Sequence, residues 1–126
     1  MRFLALLSLF LLSACSYDPY HYYYSCEGTD DKYNYPDVSG RKTTYHLHNK
    51  TLTTASDTIY KWKSQTSMNT TYEYLYKMQF EDDYYSYQLR FNKIDNSLLS
   101  IVYDNKGIVV TSSSHTCSVE KTLFKK

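Results

Sequence analysis

Residues 71–80 read TYEYLYKMQF, and residues 84–91 read YYSYQLRF after a short acidic stretch. In both stretches every second residue is aromatic or apolar. A period of two places these side chains on one face of a strand and their neighbours on the other face. The two stretches therefore predict a β-hairpin, and the same alternation from Arg41 onward predicts an all-β domain.

The register of this hairpin also follows from the alternation, because a slip of one residue would exchange the two faces of a strand. With a turn at Asp82 and Asp83, Met78 lies opposite Tyr87, and every pair on that face is apolar or aromatic. The other face then carries polar pairs such as Lys77 with Gln88. We expect the first face to be buried and the second to face solvent.

Three further turns give cross-strand pairs by the same test. The predicted pairs are Leu47 with Leu52 across Asn49 and Lys50, Phe91 with Leu99 and Leu89 with Ile101 across a loop centred on Asp95, and Tyr103 with Val109 across a left-handed Gly107. Consecutive hairpins of this kind make an antiparallel meander of about seven or eight short strands. Its apolar face has to be covered, so we expect a small barrel or, as the alternative, a two-layer sandwich.

The first 15 residues read MRFLALLSLFLLSAC. An apolar run of about ten residues suits a signal peptide and is too short for a helix that spans a bilayer, which needs about 20. Residues 12–15, LSAC, resemble the lipobox of bacterial lipoproteins, whose cysteine receives diacylglyceryl before cleavage. The resemblance implies that residues 1–14 are a cleaved signal helix and that Cys15 carries the acyl chains, palmitate among them. Ser16 stands where lipoproteins kept in the inner membrane often have Asp, which implies an anchor in the outer membrane, in either leaflet.

The chain has three cysteines, an odd number for an exported protein. Lipidation of Cys15 accounts for one of them and leaves Cys26 and Cys117, at the two ends of the meander, to form a disulfide. The predicted organisation is a lipidated, Tyr-rich tether at 15–25, whose last residues become the first strand, a single antiparallel β domain at 26–120, and a basic tail at 121–126.

Charge and motifs exclude several classes of function. The formal net charge is +1, which gives no electrostatic reason to expect nucleic acid as a partner. The sequence has no nucleophile-elbow serine, no HExxH and no glycine-rich phosphate loop, so we expect neither catalysis nor a cofactor. His46 and His48 share one side of a predicted strand, but a metal site needs three or four ligands, so we expect no metal site.

Tyrosine is the most conspicuous residue, with 16 copies in 126 residues. Its large ring and polar tip suit both a thin core and a contact surface. Glu81, Asp82 and Asp83, followed by Tyr84, are expected at a hairpin tip, where the carboxylates are solvated and do not act as paired acids. These four residues are the candidate site for binding a partner.

Residues 24–28, YSCEG, following a lipidated tether and bonded to a distant cysteine, resemble the opening of the membrane-bound inhibitors of c-type lysozyme. Those inhibitors are small lipid-anchored antiparallel β-barrels closed by a disulfide, and Trp62–Lys63 is similar to their Trp-containing strand. The family's inhibitory Ser-Gly segment lies in mid-domain, whereas Ser39 and Gly40 come soon after Cys26. The resemblance therefore implies an architecture, and no inhibitory residue is transferred to this chain.

The expected function combines these inferences. We expect a non-catalytic lipoprotein of the bacterial outer membrane that acts as a protein-binding or inhibitor module, with an envelope protein or an incoming protein as its partner. One alternative is a lipocalin-like lipoprotein that carries a small ligand, although bulky inward tyrosines would fill such a barrel. The other alternative is a phage-exclusion or toxin-immunity lipoprotein.

Overall fold

The computed structural model describes residues 18–77 and 83–126, in which all regular structure is β. The strands are β1 (His21–Gly28), β2 (Lys42–His48), β3 (Thr51–Thr54), β4 (Ile59–Gln65), β5 (Asn69–Lys77), β6 (Tyr84–Asn92), β7 (Ser97–Tyr103) and β8 (Val109–Thr122). They form a closed antiparallel barrel in chain order, which confirms the predicted meander. The predicted signal helix lies outside the described residues. Within those residues, no helix is long and apolar enough to cross a membrane.

The β2–β3 hairpin has the predicted register. Asn49 and Lys50 both adopt positive φ, 49° and 66°, as a tight two-residue hairpin turn requires. Leu47 consequently lies opposite Leu52, which is completely buried. A short turn and the two leucines therefore specify the same pairing.

The β7–β8 hairpin has the predicted pair at its turn, and its register shifts by one residue between Tyr103 and Val102. Gly107 has φ 80°, and its amide donates a hydrogen bond to the Asp104 carbonyl. The Asp104 carboxylate accepts a further bond from the backbone amide of Ile108. Tyr103 consequently lies opposite Val109. The left-handed glycine and the aspartate together fix this turn.

The β5–β6 hairpin departs from the predicted register. Tyr74 lies opposite Tyr87, where the prediction placed Met78, and Lys77 lies opposite Tyr84. Residues 78–82, which include Met78 and Asp82 of the predicted hairpin, lie outside the described residues. The observed register of β5 against β6 differs from the predicted one by four residues. An even shift leaves every side chain on the same face, so the alternation of apolar and polar residues could not distinguish the two registers.

The predicted β6–β7 register is wrong by one residue. An error of one residue exchanges the inward and outward faces of β7. Phe91 lies opposite Leu98 and not Leu99, because Asn96 adopts φ 58° and allows an even-numbered loop. Leu98 therefore enters the core, where it is 1% exposed. Ile101, predicted on the inward face, lies opposite Gln88 on the other face.

The barrel interior is filled largely by aromatic and leucine side chains. Its buried cluster consists of Cys26, Tyr45, Leu52, Tyr60, Tyr72, Leu89, Phe91, Leu98 and Cys117, with Tyr24, Leu47, Tyr74 and Tyr87 packed against it. Tyrosine suits this position because its ring fills volume while its hydroxyl can reach the barrel ends. Many of the 16 tyrosines thus serve as core residues.

The predicted disulfide between Cys26 and Cys117 is confirmed. The two residues lie directly opposite each other across the β1–β8 pairing, with Cα atoms 4.0 Å apart. That pairing extends from His21 opposite Thr122 to Gly28 opposite His115. The covalent bond therefore lies at the seam where the last strand closes the barrel onto the first.

The loop between β1 and β2 continues the sheet beside β8. Tyr35 exchanges two backbone hydrogen bonds with Ser112, and the Asn34 side chain accepts a bond from the Ser114 amide. Gly28 ends β1 beneath this loop, where an added Cβ would stand 1.8 Å from the carbonyl oxygen of Val38. Only glycine leaves room for the loop to return to the barrel.

Candidate functional site

A cluster of polar side chains lies on the outer face of β4, β5 and β6. The Glu73 Oε2 atom accepts hydrogen bonds from Lys63 Nζ at 2.6 Å, Ser86 Oγ at 2.7 Å and Gln88 Nε2 at 3.1 Å. Gln88 Nε2 also lies 3.2 Å from Ser86 Oγ. We call these four residues the Glu73 cluster; it joins three neighbouring strands through their side chains.

The pairing of β4, β5 and β6 places the four side chains of this cluster next to one another. Glu73 lies directly opposite Gln88, and Ser86 is two residues further along β6 on the same face. Lys61 is the direct neighbour of Glu73 on β4, but the pairing there is irregular and Lys63 makes the contact. The predicted register placed Lys77 opposite Gln88 and so missed the cluster. The sequence signal that could have revealed the cluster was the complementary pair of the Glu73 carboxylate and the Gln88 amide on neighbouring strands.

The environment of Glu73 keeps its carboxylate ionised. Its side chain is 21% exposed, and this burial by itself would raise the pKa. Hydrogen bonds from Lys63 and Ser86 outweigh the burial, so the pKa of Glu73 lies below its ordinary value. Glu73 is therefore a fixed hydrogen-bond acceptor at neutral pH and not an acid ready to donate a proton.

A cavity of about 610 Å³ opens to solvent above the Glu73 cluster. Its walls are Leu75, Tyr84 and Tyr103, and the turn at residues 104–107 forms one rim. We call this cavity the Glu73 groove. Its polar floor is rigidly hydrogen-bonded, and Ser86 in the floor is only 8% exposed.

An apolar surface adjoins the groove on β4 and β5. Ile59, Trp62 and Leu75 line a second cavity of about 440 Å³, which shares Lys63 and Glu73 with the groove. Trp62 is 41% exposed. Exposed aromatic and aliphatic side chains beside a polar groove are a composition typical of contact surfaces.

The predicted partner-binding tip is only partly within the described residues. Glu81 and Asp82 lie outside them. Asp83 is exposed and immediately precedes β6, whereas Tyr84 is the first residue of β6 and lines the Glu73 groove. The structure thus brings one of the four predicted residues, Tyr84, to the cluster that sequence reasoning missed.

The two histidines predicted on one side of a strand are part of a larger stack. The His21 ring lies 3.9 Å from that of His48, and His21 Nδ1 lies 2.8 Å from His46 Nε2. Tyr23 stacks on His46 at 4.6 Å. Desolvation and the neighbouring ring lower the pKa of both His21 and His46. Among the described residues no group of three His, Cys, Asp or Glu side chains is arranged to hold a metal ion.

The opposite side of the barrel has a different surface. Over β8, β1 and β2 the exposed side chains Ser25, Thr44, Thr116 and Ser118 line a shallow cavity of about 530 Å³. We call these four residues the hydroxyl face. It lies over the disulfide and is flanked by the exposed Glu27 and Lys42, whereas the Glu73 groove is lined by Tyr84 and Tyr103.

One end of the barrel has a small mouth. Tyr22, Tyr24, Tyr72 and Phe91 line a cavity of about 240 Å³ there. The Tyr22 hydroxyl donates a hydrogen bond of 2.7 Å to the Asp18 carboxylate. Burial and this bond raise the pKa of Tyr22 to about 12. The mouth is smaller than the 300–1,000 Å³ typical of small-molecule sites.

Comparison with protein-family models, with curated proteins and with solved structures finds no match to this chain. A function therefore has to be argued from the molecule itself. The relevant features are the Glu73 groove, the filled interior and the sequence ahead of residue 18.

Proposed function

We propose that this protein is a non-catalytic lipoprotein of the bacterial outer membrane that acts through its surface as a protein-binding or inhibitor module. The observation that carries the proposal is the Glu73 groove, a rigid polar floor walled by tyrosines and bordered by exposed Ile59 and Trp62. Interfaces favour such sites, where aromatic side chains surround fixed hydrogen-bonding groups. The partner is an envelope protein or an incoming protein.

The filled interior favours a surface function over the lipocalin-like alternative. Leu52 and Leu98 are completely buried or nearly so, and tyrosines occupy much of the remaining interior. The mouth of about 240 Å³ leaves little room for a carried ligand. Phage exclusion and toxin immunity remain versions of the same proposal, in which the bound protein comes from outside the cell.

The membrane anchor in this proposal is Cys15. β1 begins at His21, so a lipid on Cys15 would hold the barrel within a few residues of the bilayer. A Cys15→Ser protein should incorporate no labelled palmitate and should leave the membrane fraction, because each buried CH₂ contributes about 0.8 kcal/mol to anchoring. Absence of label from the wild-type protein would refute the anchor.

The binding experiment tests the acidic tip, which precedes Tyr84 in the chain. Exported protein is assayed for c-type lysozyme inhibition and for binding to envelope proteins, with Glu81, Asp82 and Asp83 changed together to Ser. A charged tip accelerates encounter with a basic partner, so we expect weaker binding in the variant and in high salt.

A matched control distinguishes an effect of the acidic tip on binding from an effect of the protein's net charge. Glu27, Asp30 and Glu120, all exposed and scattered over the barrel, are changed together to Ser, which alters the net charge by the same amount. Binding that falls equally in both variants would remove the tip from the site. Turnover of any substrate by the purified protein would overturn the non-catalytic proposal itself.

A further inference from the structure

Two hydrogen-bond acceptors in the floor of the Glu73 groove remain open. All three bonds to Glu73 reach Oε2, and no described residue donates to Oε1. The Gln88 amide nitrogen faces the carboxylate and Ser86 Oγ, so its oxygen is likewise without a donor among the described residues. Both acceptors belong to side chains held in place by the cluster, so they are pre-positioned for donors from a ligand.

The charges that line the groove balance. Lys63 pairs with Glu73, and the rim carries Asp104 and Lys106. An anion would meet the carboxylate of Glu73, and a cation would compete with the Lys63 ammonium that already occupies it. The groove therefore favours a neutral ligand that is rich in hydrogen-bond donors.

The walls of the groove add an apolar component. Tyr84, Tyr103 and Leu75 line it, and its volume of about 610 Å³ falls within the range of small-molecule sites. A ligand that matches both parts needs hydroxyl or amide donors at its edge and an apolar face that can lie on a ring. A purely apolar ligand would leave the floor unpaired at a cost.

We infer that the Glu73 groove is a binding site for an uncharged sugar, a hexose or N-acetylhexosamine unit of a glycan chain. Sugar hydroxyls donate to Glu73 Oε1 and to the Gln88 oxygen, while a ring face packs against Tyr84 or Tyr103. This groove also carries the protein-binding proposal, so the inference adds a ligand class to the same surface, and sugar binding can be measured without a protein partner.

The test uses the full exported protein in a detergent without a sugar head group. It is titrated with a trimer of N-acetylglucosamine and with a neutral glucose trimer, and binding is followed by calorimetry and by Trp62 fluorescence. Trp62 is the single tryptophan and borders the groove. We expect saturable binding of at least one trimer, unchanged by salt because the ligand carries no charge.

Glu73→Gln replaces an acceptor with a donor at the site. It should weaken sugar binding by about tenfold to a hundredfold, the range for hydrogen bonds to charged groups. Glu120→Gln is the matched control: it removes the same charge and a surface ion pair with Lys126 on the other side of the barrel, and it should leave binding unchanged.

A second variant covers the case in which Glu73→Gln fails to fold. Tyr103→Leu leaves the cluster intact and should weaken binding by about threefold to tenfold through loss of the ring contact. Absence of binding by both trimers at millimolar concentration overturns the inference. A charged sugar that binds more than about tenfold better than its neutral counterpart also overturns the inference, because the balanced charges of the groove are expected to favour an uncharged ligand. These outcomes concern the sugar ligand; the protein-binding proposal shares the groove but is tested in its own assay with the tip variants.

Discussion

The two sides of this barrel are closed by different means. Over β8 and β1 the paired strands are also joined by the Cys26–Cys117 bond, and the outer surface above it carries the hydroxyl face together with the exposed Glu27 and Lys42. Over β4, β5 and β6 the strands carry the Glu73 cluster in addition to their backbone pairing. The seam is held by a covalent bond between the first and last strands, whereas the other side uses a polar side-chain network that is also open to ligands.

The comparison predicts the largest effect at the seam. Changing Cys26 and Cys117 together to Ala should lower the free energy of unfolding by roughly 4 to 5 kcal/mol, because the bond closes nearly the whole domain in the unfolded chain. Denaturant titration of oxidised and substituted protein measures this difference. An unchanged midpoint would show that the barrel closes equally well without the bond.

The next effect distinguishes the two carboxylates that form ion pairs on opposite sides. Glu73→Ala leaves the buried Ser86 hydroxyl without its acceptor and removes one of the two acceptors of the Gln88 amide, and it should cost about 1 to 3 kcal/mol. Glu120→Ala breaks an exposed pair with Lys126 and should cost less than about 1 kcal/mol. Equal losses of stability in the two variants would mean that the Glu73 cluster is no more than a surface ion pair.

A third effect concerns pH and the core beneath the seam. His115 is buried opposite Leu98, its Nε2 lies 3.0 Å from Ser113 Oγ, and burial lowers its pKa below the ordinary 6.5. The unfolded chain therefore binds a proton more readily than the folded chain, and stability should fall as pH drops below about 6.5, by at most about 1.4 kcal/mol per pH unit for this group.

His115→Leu should flatten that dependence between neutral pH and the range where carboxylates begin to titrate. Unfolding curves at several pH values give the slopes. His46→Gln serves as the comparison, since the pKa of His46 is also lowered but its ring is in the outer stack. A pH slope that survives unchanged in His115→Leu would assign it to the outer histidines.

The smallest effect is expected on the hydroxyl face. Thr44→Ala removes an exposed hydroxyl that lies over the disulfide, and it should change the free energy of unfolding by no more than about 0.5 kcal/mol. Thermal unfolding of this variant beside Ser86→Ala provides the check. A larger loss in Thr44→Ala than in Ser86→Ala would reverse the proposed roles of the two sides.

The meander, the disulfide and two of the four tested turns could be predicted from the sequence. The two turns could be predicted because their residues favour one loop length. Asn49 with Lys50, and Gly107 with Asp104, are short turns whose residues determine one loop length. The sequence between Lys77 and Tyr84 contains no glycine or asparagine that would determine a loop length, so only the faces could be predicted there.

The β6–β7 pairing shows a second limit. Residues 97–103 read SLLSIVY, with apolar residues on both faces, so alternation supports two registers one residue apart. The left-handed conformation of Asn96 selects one of these two registers. Asparagine can adopt this conformation but does not have to, so its presence did not predict the register. The Glu73 cluster was missed because it depends on a register; the role predicted for Tyr84 in partner binding stays a prediction.

The position of the disulfide also determines how the domain would respond to force. A pull on the chain ahead of His21 is resisted first by the pairs that residues His21 to Ser25 make with β2 on one side and with β8 on the other. At Cys26 the load passes through the sulfur bridge into Cys117, and the strands beyond it are not peeled in sequence. Any protein tethered at its N-terminal end and gripped at its surface would thus yield by a few residues and then stop, keeping the opposite face intact under tension.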